Sequence, residues 1–411
     1  MSVSHAQNFP KAGDERFNNL KNTISDYLDI KGTYRTGIED QEKIAYQKKQ
    51  ILKLLNATQE QWKDYRWQFR NRFTGSSQIA GIIGIRDEEL KQLKQVEERF
   101  RFAISPYYLS LIDPEDPNCA IRRQSVPSVL ELDEKGSLDP MDEQGSSPQE
   151  YVTRRYPDRL IIKVTNICGM YCRFCQRRRL IGQCDTHTAG DSVDKAVAYV
   201  SKHPEIRDVL ITGGDALSLD DASLERILSA LRDIRHVEII RIGSRLPVTL
   251  PQRITGSLVQ MLKKYHPLYV NTHFNHPREI TGESKRACEM LADAGIPLGN
   301  QMVLLNGVNN DKFLVRKLNQ ELLRIRVKPY YIFHPKTVRG TSHFWVTVQE
   351  GMEIIESLRG RTSGMAVPSY IVNGPGGLGK TPILPNYMLC MGKNKAVFRN
   401  WEGKVFEIRN G

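Results

Sequence analysis

No stretch of this 411-residue chain comes near the roughly eighteen consecutive apolar residues that a membrane-crossing helix needs. A membrane-embedded function is therefore not expected. The segment 1–14 is polar and lacks the apolar run of a secretory signal, so the sequence reads as that of a soluble cytoplasmic protein. Cysteine is scarce: the seven are Cys119, Cys168, Cys172, Cys175, Cys184, Cys288 and Cys390. An odd, partly clustered set in a reducing compartment suits metal binding better than a disulfide framework. Acidic residues are outnumbered, 47 against 59 lysines and arginines, for a net charge of +12. Such an excess serves nucleic acids or anionic small molecules. It is spread along the chain, and its one dense cluster, Arg173 to Arg179, lies inside the cysteine loop. That points to a local site rather than a nucleic-acid face.

What is present is a chain 40% apolar, long enough to bury a large core and an accessory region. Residues 1 to about 110 read as helical and charged. Trp62, Tyr65, Trp67 and Phe69 either form an aromatic docking face or pack on the main domain. The segment 133–148 (DEKGSLDPMDEQGSSP) is rich in Gly, Ser, Pro and acid, and reads as a linker or wrapping loop. Six apolar, β-branched runs follow: 160–165, 209–214, 237–243, 268–274, 299–305 and 328–334. Amphipathic helical stretches separate them, which predicts a parallel sheet with helical crossovers, its strands buried on both faces. Six units are too few for an eight-fold barrel. An open doubly wound sheet and a partial barrel remain, and both place functional loops at the C-terminal ends of the strands. The polar residues collect there: the cysteines after the first run, Gly213-Gly214-Asp215 after the second, Arg241, Ser244 and Arg245 after the third, and His273, Asn275 and His276 after the fourth.

The loop after the first run reads Cys168-Gly-Met-Tyr-Cys172-Arg-Phe-Cys175. Three thiolates so close in sequence can wrap one metal centre. A structural zinc wants four closed ligands, and no second CxxC or HxxxH completes such a set. Three cysteines on a [4Fe–4S] cluster leave one iron open, which suits catalysis. The CxxxCxxC spacing, with Phe174 before the third cysteine, resembles the radical S-adenosylmethionine (SAM) superfamily. The resemblance implies that the open iron binds SAM, whose reductive cleavage yields a 5′-deoxyadenosyl radical. Gly213, Gly214 and Asp215 resemble the element that contacts the methionine amino group. Glycines permit close backbone approach, and an aspartate pairs with an ammonium. Away from a strand end the same three residues would be an ordinary turn.

Residues 374–381 (GPGGLGKT) match the G-x-x-x-x-G-K-[ST] phosphate loop. A true loop of that kind opens a helix, whereas Pro382 and Pro385 follow here and argue against one. An ATPase is therefore not expected. Lys380 is either an exposed turn lysine or an amine able to condense with an aldehyde cofactor.

Longer stretches, PYYLSLIDP (106–114), RYPDR (155–159), CGMYCRFCQRRR (168–179), GGDAL (213–217), RIGSR (241–245), LPQRIT (250–255), NTHFNHP (271–277), LGNQ (298–301) and PGGLGKTP (375–382), resemble the lysine 2,3-aminomutase family from about residue 60 onward. That family implies pyridoxal 5′-phosphate (PLP) beside SAM and the cluster. Lys380 falls on its PLP-imine lysine, and Arg155, Tyr156 and Arg159 fall near its PLP phosphate. Arg177 falls on the arginine that holds the substrate α-carboxylate, and Gln301 on a residue near SAM. The implied reaction moves an amino group from C2 to C3 by a radical route. An external one-electron reductant of flavodoxin or ferredoxin type and a homo-oligomeric state are also implied, with neither nucleic acid nor membrane as partner. The fold class expected is α/β: a partial (β/α)6 barrel of radical SAM type over 151–365, a helical N-terminal region with linker over 1–150, and a C-terminal segment carrying the PLP lysine over 366–411.

The sequence departs from the family pattern in three ways. It ends at Gly411 without a cysteine-rich, zinc-binding tail, so no structural zinc is expected. Its N-terminal region is longer. The third departure is chemical. Two aspartates that hold the distal ammonium in the lysine enzyme are replaced here by Lys336 and Asn373. A cation and an amide suit a distal carboxylate, so L-glutamate is the expected substrate and β-glutamate the product. L-Lysine is the alternative if Lys336 points to solvent, and a nucleic-acid-modifying radical SAM enzyme is the alternative from another class.

Overall fold

The computed structural model describes residues 11–411, with side chains from residue 15 onward. The polarity of 1–14 noted above therefore lies outside the described side chains. Nine strands form one sheet: β1 Val152–Thr153, β2 Arg159–Lys163, β3 Asp208–Thr212, β4 Ile239–Gly243, β5 Leu268–Thr272, β6 Leu298–Val303, β7 Val327–Phe333, β8 Ser369–Gly374 and β9 Gly379–Ile383. Their spatial order is their chain order, β1 to β9. Strands β2 to β8 are parallel, and β1 and β9 close the two edges in antiparallel fashion.

Sequential order decides between the two shapes left open by the sequence. A doubly wound sheet reverses its order at a switch point. Here successive right-handed crossovers all fall on one side, so the helices cover one face and leave the other concave. The result is a partial barrel. All six expected strands are present, five of them ending short of the predicted run and β4 ending with it at Gly243, and the parallel set is one strand longer than expected. The additional strand, β8, was hidden because Ser-Tyr-Ile-Val-Asn-Gly leads into Pro375-Gly376-Gly377 and resembles a loop. The sheet therefore continues past residue 365.

Burial of both faces is corrected as well. Along β2, β4 and β6 every second residue is buried and the alternate ones are half-buried. The buried set faces the helices. Arg159, Ile161, Arg241 and Gln301 belong to the half-buried set and face the hollow of the sheet. The helical layer follows ordinary rules. Helix Lys312–Arg324 opens at Asp311, which accepts from the backbone N–H of Phe313 and Leu314. It buries Leu314, Val315, Leu318 and Leu322, spaced along one face. Truncating one such leucine to alanine costs about 2–5 kcal/mol.

The helical N-terminal region packs on the outside. Trp62 and Trp67 are buried, and the guanidinium of buried Arg253 lies 4.8 Å from the Tyr65 ring. The aromatic stretch is core rather than docking face. The acidic segment 133–148 wraps the mouth of the hollow, as its composition suggested, and its ends are tied down. Ser137 bridges to Val338, and Pro140 accepts from the Gly376 N–H at 3.0 Å. A separate antiparallel sheet of β10 Met388–Met391, β11 Lys395–Arg399 and β12 Val405–Arg409 ends the chain. Among the described residues no helix is long and apolar enough to cross a membrane.

Candidate active site

The C-terminal ends of β2 to β7 open into two chambers of about 260 and 210 Å³. They share a wall that includes Gln176, Arg177, Gln301, Phe333 and Lys336. Convergence on one rim, expected from the strand-end residues, holds for Arg241, Ser244, Arg245 and His273, whereas Asn275 and His276 line neither chamber and donate their backbone N–H to Glu279.

The first chamber is the thiol chamber. Cys168, Cys172 and Cys175 all line it, and an adjoining cavity of about 370 Å³ is lined by the same three residues. Arg245 donates to the Cys172 sulfur at 2.8 Å, and the Arg177 N–H to the Cys175 sulfur at 3.3 Å. Burial holds the Cys168 thiol well above its usual range, with Asp215 and the other cysteines adding to it. Burial and then Cys172 raise Cys175 to about 11. These thiols ionise only with a cation beside them, so loading a metal centre releases protons. Among the described residues no three His, Cys, Asp or Glu side chains are gathered closely enough for a single metal ion. Thiols spread around one cavity suit a polynuclear iron–sulfur cluster better than a zinc ion. Phe174 packs 5.6 Å from His273 and edge-on to Phe344, with the Arg245 guanidinium 5.4 Å from its ring.

Two expectations for Gly213-Gly214-Asp215 change in detail. The backbone that the glycines approach is first the chain's own. A Cβ on Gly214 would meet Asn166 and Ile167 backbone atoms at 2.5 Å, and Gly213 has a φ of +134° against Thr165. The glycines let the end of β3 cross the stem of the cysteine loop. Asp215 is not an open carboxylate either. It accepts from the backbone N–H of Leu217, Arg245 and Leu246. Burial nevertheless raises it to about 6, against those donors and Ser244. Asp215 ties β3 to β4, and both glycines still line the chamber.

The second chamber is basic, with Arg155, Arg159, Arg241 and Lys380 along it. Lys380 is not on a loop. It lies on β9 directly opposite Asn373 of β8, and no helix follows it, which removes the phosphate-loop reading. The left-handed turn at Gly376, Gly377 and Gly379 brings β9 against Tyr156, whose hydroxyl accepts the Lys380 N–H at 2.8 Å. The Lys380 ammonium lies 4.6 Å from the Tyr331 ring centroid and 5.4 Å from that of Phe333. Burial, then Arg241 and Arg159, lower its pKa to about 8. A desolvated lysine among cations is a competent amine nucleophile. The Arg159 guanidinium lies 4.0 Å from the Tyr156 ring centroid, and Arg155 Nη2 is buried without a hydrogen-bond partner. With only the Glu143 carboxylate at 3.7 Å beside it, a guanidinium donor free of hydrogen bonds in a basic hollow fits a phosphate dianion.

The shared wall holds the third group. Lys336 does not point to solvent. It faces both chambers and donates to Gln176. Burial, then Arg177, lower its pKa to about 7. Asn373 Nδ2 is buried and has no partner. Arg177 is held by Glu143, which accepts from Nε at 3.0 Å and from Nη2 at 2.7 Å. Arg155 lies 3.7 Å from the same carboxylate. Burial opposes the Glu143 charge, but Arg177, Lys163 and Arg155 overcome it and hold the carboxyl at about 2.

The basic run Arg173–Arg179 is therefore not a free anion site. Arg173 and Arg178 pair with Glu131, Arg177 with Glu143 and Arg179 with Asp139. Glu143 and Gln176 escaped the sequence analysis as site residues, whereas Arg241 was singled out there only as a strand-end residue. The acidic composition of 133–148 was the one available hint for Glu143. For Gln176, flanked by the third cysteine and by arginines, there was none.

Comparison with known proteins agrees with this geometry. The radical SAM superfamily model matches residues 162–315, and a model described as lysine-2,3-aminomutase matches residues 355–410. Glutamate 2,3-aminomutase of Clostridioides difficile (strain 630) is 56% identical over 397 residues, 96% of this chain and 94% of that one. The L-lysine 2,3-aminomutase of Acetoanaerobium sticklandii is 52% identical over 352 residues, 85% of each chain. That of Clostridium subterminale is 51% identical over 346 residues, 84% of this chain and 83% of the other.

Proposed function

Because this chain belongs to the lysine 2,3-aminomutase family of radical SAM enzymes, we propose that it moves the α-amino group of L-glutamate to C3, giving β-glutamate. The observation that carries the choice of substrate is Lys336, which faces both chambers and shares the second with Asn373, where the distal end of an amino acid would lie. Glu143 is taken by Arg177, Asp208 by Arg241 and Asp215 by backbone N–H groups, so among the described residues a distal ammonium finds no free carboxylate there. It would meet Lys336 instead. Where Lys336 carries its charge, like charges about 4 Å apart cost about 4 kcal/mol at an effective dielectric near 20, roughly a thousandfold in binding; where Lys336 sheds its proton, as its pKa near 7 allows, the ammonium is still left without an anion. A distal carboxylate pairs with Lys336 and accepts from Asn373. The relative that acts on glutamate, by its name, supports the same choice.

The residues fit the three groups the family implies. Cys168, Cys172 and Cys175 would hold a [4Fe–4S] cluster, and Gly213, Gly214 and Gln301 would border SAM beside it, with Asp215 keeping that rim in place. Lys380 would hold the PLP aldehyde, with Arg155 and Arg159 toward its phosphate and Tyr156 fixing the strand that carries the lysine. When bound, cluster and SAM supply the radical and PLP makes nitrogen migration possible.

The protein's own contribution is position and charge. Arg177 binds the α-carboxylate through the donors that Glu143 leaves open. Lys336 and Asn373 take the distal carboxylate, so a dicarboxylate is stretched between two cationic anchors. Aspartate is too short to span them. Phe333 and Phe174 line the hollow, Tyr331 lies against Lys380, and together they limit water around the reacting carbons. The reducing electron comes from outside, from a carrier of flavodoxin or ferredoxin type, and we place the enzyme in the cytoplasm as a homo-oligomer.

The test is an anaerobic assay with SAM, dithionite and PLP that compares glutamate, lysine, aspartate and glutamine. Glutamate should turn over fastest. Turnover of lysine above glutamate overturns the assignment.

A further inference from the structure

Gln176 directly follows the third cysteine of the loop and lines both chambers at their shared wall. There its Oε1 accepts from Lys336, a contact across 160 residues of chain. We propose that Gln176 is a specificity-determining residue, which holds Lys336 in the cavity through its carbonyl oxygen and offers its amide N–H to the distal carboxylate of the substrate. The inference rests on the dicarboxylate reading above and adds a third donor to it.

The amide orientation follows from chemistry. A lysine ammonium has three donors and no acceptor, so the glutamine oxygen must face it and the NH2 group must point elsewhere. Among the described residues none accepts a hydrogen bond from Gln176 Nε2. Asn373 Nδ2, buried in the same chamber, also lacks a partner. Both amides therefore bring an unsatisfied donor to the chamber that holds Lys336. Two carboxylate oxygens offer about four acceptor positions, enough to satisfy Lys336, Gln176 and Asn373 together.

The side chain at this position is chosen as closely as its place. Lys336 is crowded by Arg177, Arg155 and Lys380, which repel it and outweigh the attraction of Glu143. Without a partner it would swing away from them. A carboxylate at position 176 would hold Lys336 but cancel its charge, and an apolar side chain would not hold it. An amide holds the ammonium, leaves its charge intact and still donates. Gln176 also joins the distal anchor to the metal loop through one peptide bond, so the two are placed by the same turn.

The test compares two competitive inhibitors of glutamate turnover by the holoenzyme. Glutarate has both carboxylates and valerate lacks one of them. The ratio of their inhibition constants reads the distal anchor alone, because general damage to the loop weakens both equally. The parent protein should favour glutarate. Gln176→Ala should shrink the ratio about tenfold, the worth of a hydrogen bond to a charged group. Gln176→Glu should shrink it further by neutralising Lys336. Where turnover is too slow to inhibit, calorimetric titration of the same two acids gives the same ratio. If the parent favours glutarate and Gln176→Ala or Gln176→Glu keeps its ratio, or if both acids weaken in parallel, the role of Gln176 is overturned while the glutamate reading stands. If the parent itself shows no preference for glutarate, the dicarboxylate reading falls first.

Discussion

Glu143 accepts from both Nε and Nη2 of Arg177, with its nearest oxygen 2.7 Å from the guanidinium. The pair turns one edge of the arginine toward the acidic segment and leaves Nη1 for a ligand. It also binds that segment over the hollow, because the same carboxylate lies beside Arg155.

Removing the carboxylate should therefore be felt as stability. Glu143→Ala leaves two buried guanidinium groups without their anion, and breaking such a pair costs about 3–5 kcal/mol. Glu143→Gln separates charge from shape. The folded-state carboxyl titrates near 2, below its ordinary 4.5. Its stabilisation is thus fully present above about 4.5 and is lost as pH falls through about 2. Thermal melts of parent and Glu143→Gln should differ most at pH 5–7 and converge on acidification. A difference that grows toward pH 3 contradicts the assignment.

Lys380 should react at a pH where ordinary lysines do not. Its pKa near 8 lies below the usual 10.5, so the cost of burying its charge is present below about 8 and disappears as pH rises from there toward 10.5. Borohydride trapping with PLP should label Lys380 half-maximally near pH 8. Peptide mapping should find the pyridoxyl group on Lys380 and lose it in Lys380→Ala. A label on another lysine in the parent protein rules out this role.

Anaerobically purified protein should carry about four irons per chain and absorb broadly in the visible, as such clusters do. Cys168→Ala, Cys172→Ala and Cys175→Ala should each lose the iron and the release of 5′-deoxyadenosine. Cys184→Ser, on an exposed loop, and Cys288→Ala, in a helix core, should keep both. A Cys172→Ala protein with full iron content contradicts the ligand assignment.

Exchanging the distal anchor should exchange the substrate. Lys336→Asp with Asn373→Asp changes the local charge by three units, from +1 to −2. Glutamate turnover should fall by roughly a thousandfold, from the Coulomb estimate above, and lysine should become a measurable substrate. Chromatographic separation of β-glutamate and β-lysine in one competition assay reads both. Undiminished glutamate turnover means that the carboxylate is held elsewhere.

The metal loop and the six principal strands were legible because each rests on local order: a spacing of cysteines and a period of apolar residues. For Lys380 local order left two readings open, and only the resemblance chose between them. Lys336 and Asn373 were legible through resemblance, since a change of charge at a known position carries its own meaning. The seventh parallel strand was not, because Ser369–Gly374 is short and runs into Pro-Gly-Gly. Nor were the partners of Arg173, Arg177, Arg178 and Arg179, which lie some thirty to fifty residues away on 131–143. Sequence spacing says nothing about which acid reaches which arginine.

By itself, then, the sequence determined the chemistry available to this protein: thiols for a cluster, an amine for an aldehyde, and an excess of cations for anionic ligands. Those are properties of side chains and their local spacing. Only the tertiary structure decided which cations remain available. Winding nine strands in chain order folds the acidic segment over the mouth of the hollow. Its carboxylates neutralise the arginines of the cysteine loop, while Lys336, Gln176 and Asn373 keep donors turned into the cavity. Pairing of charges depends on distance through space and on burial, and both are set by the closure of the sheet.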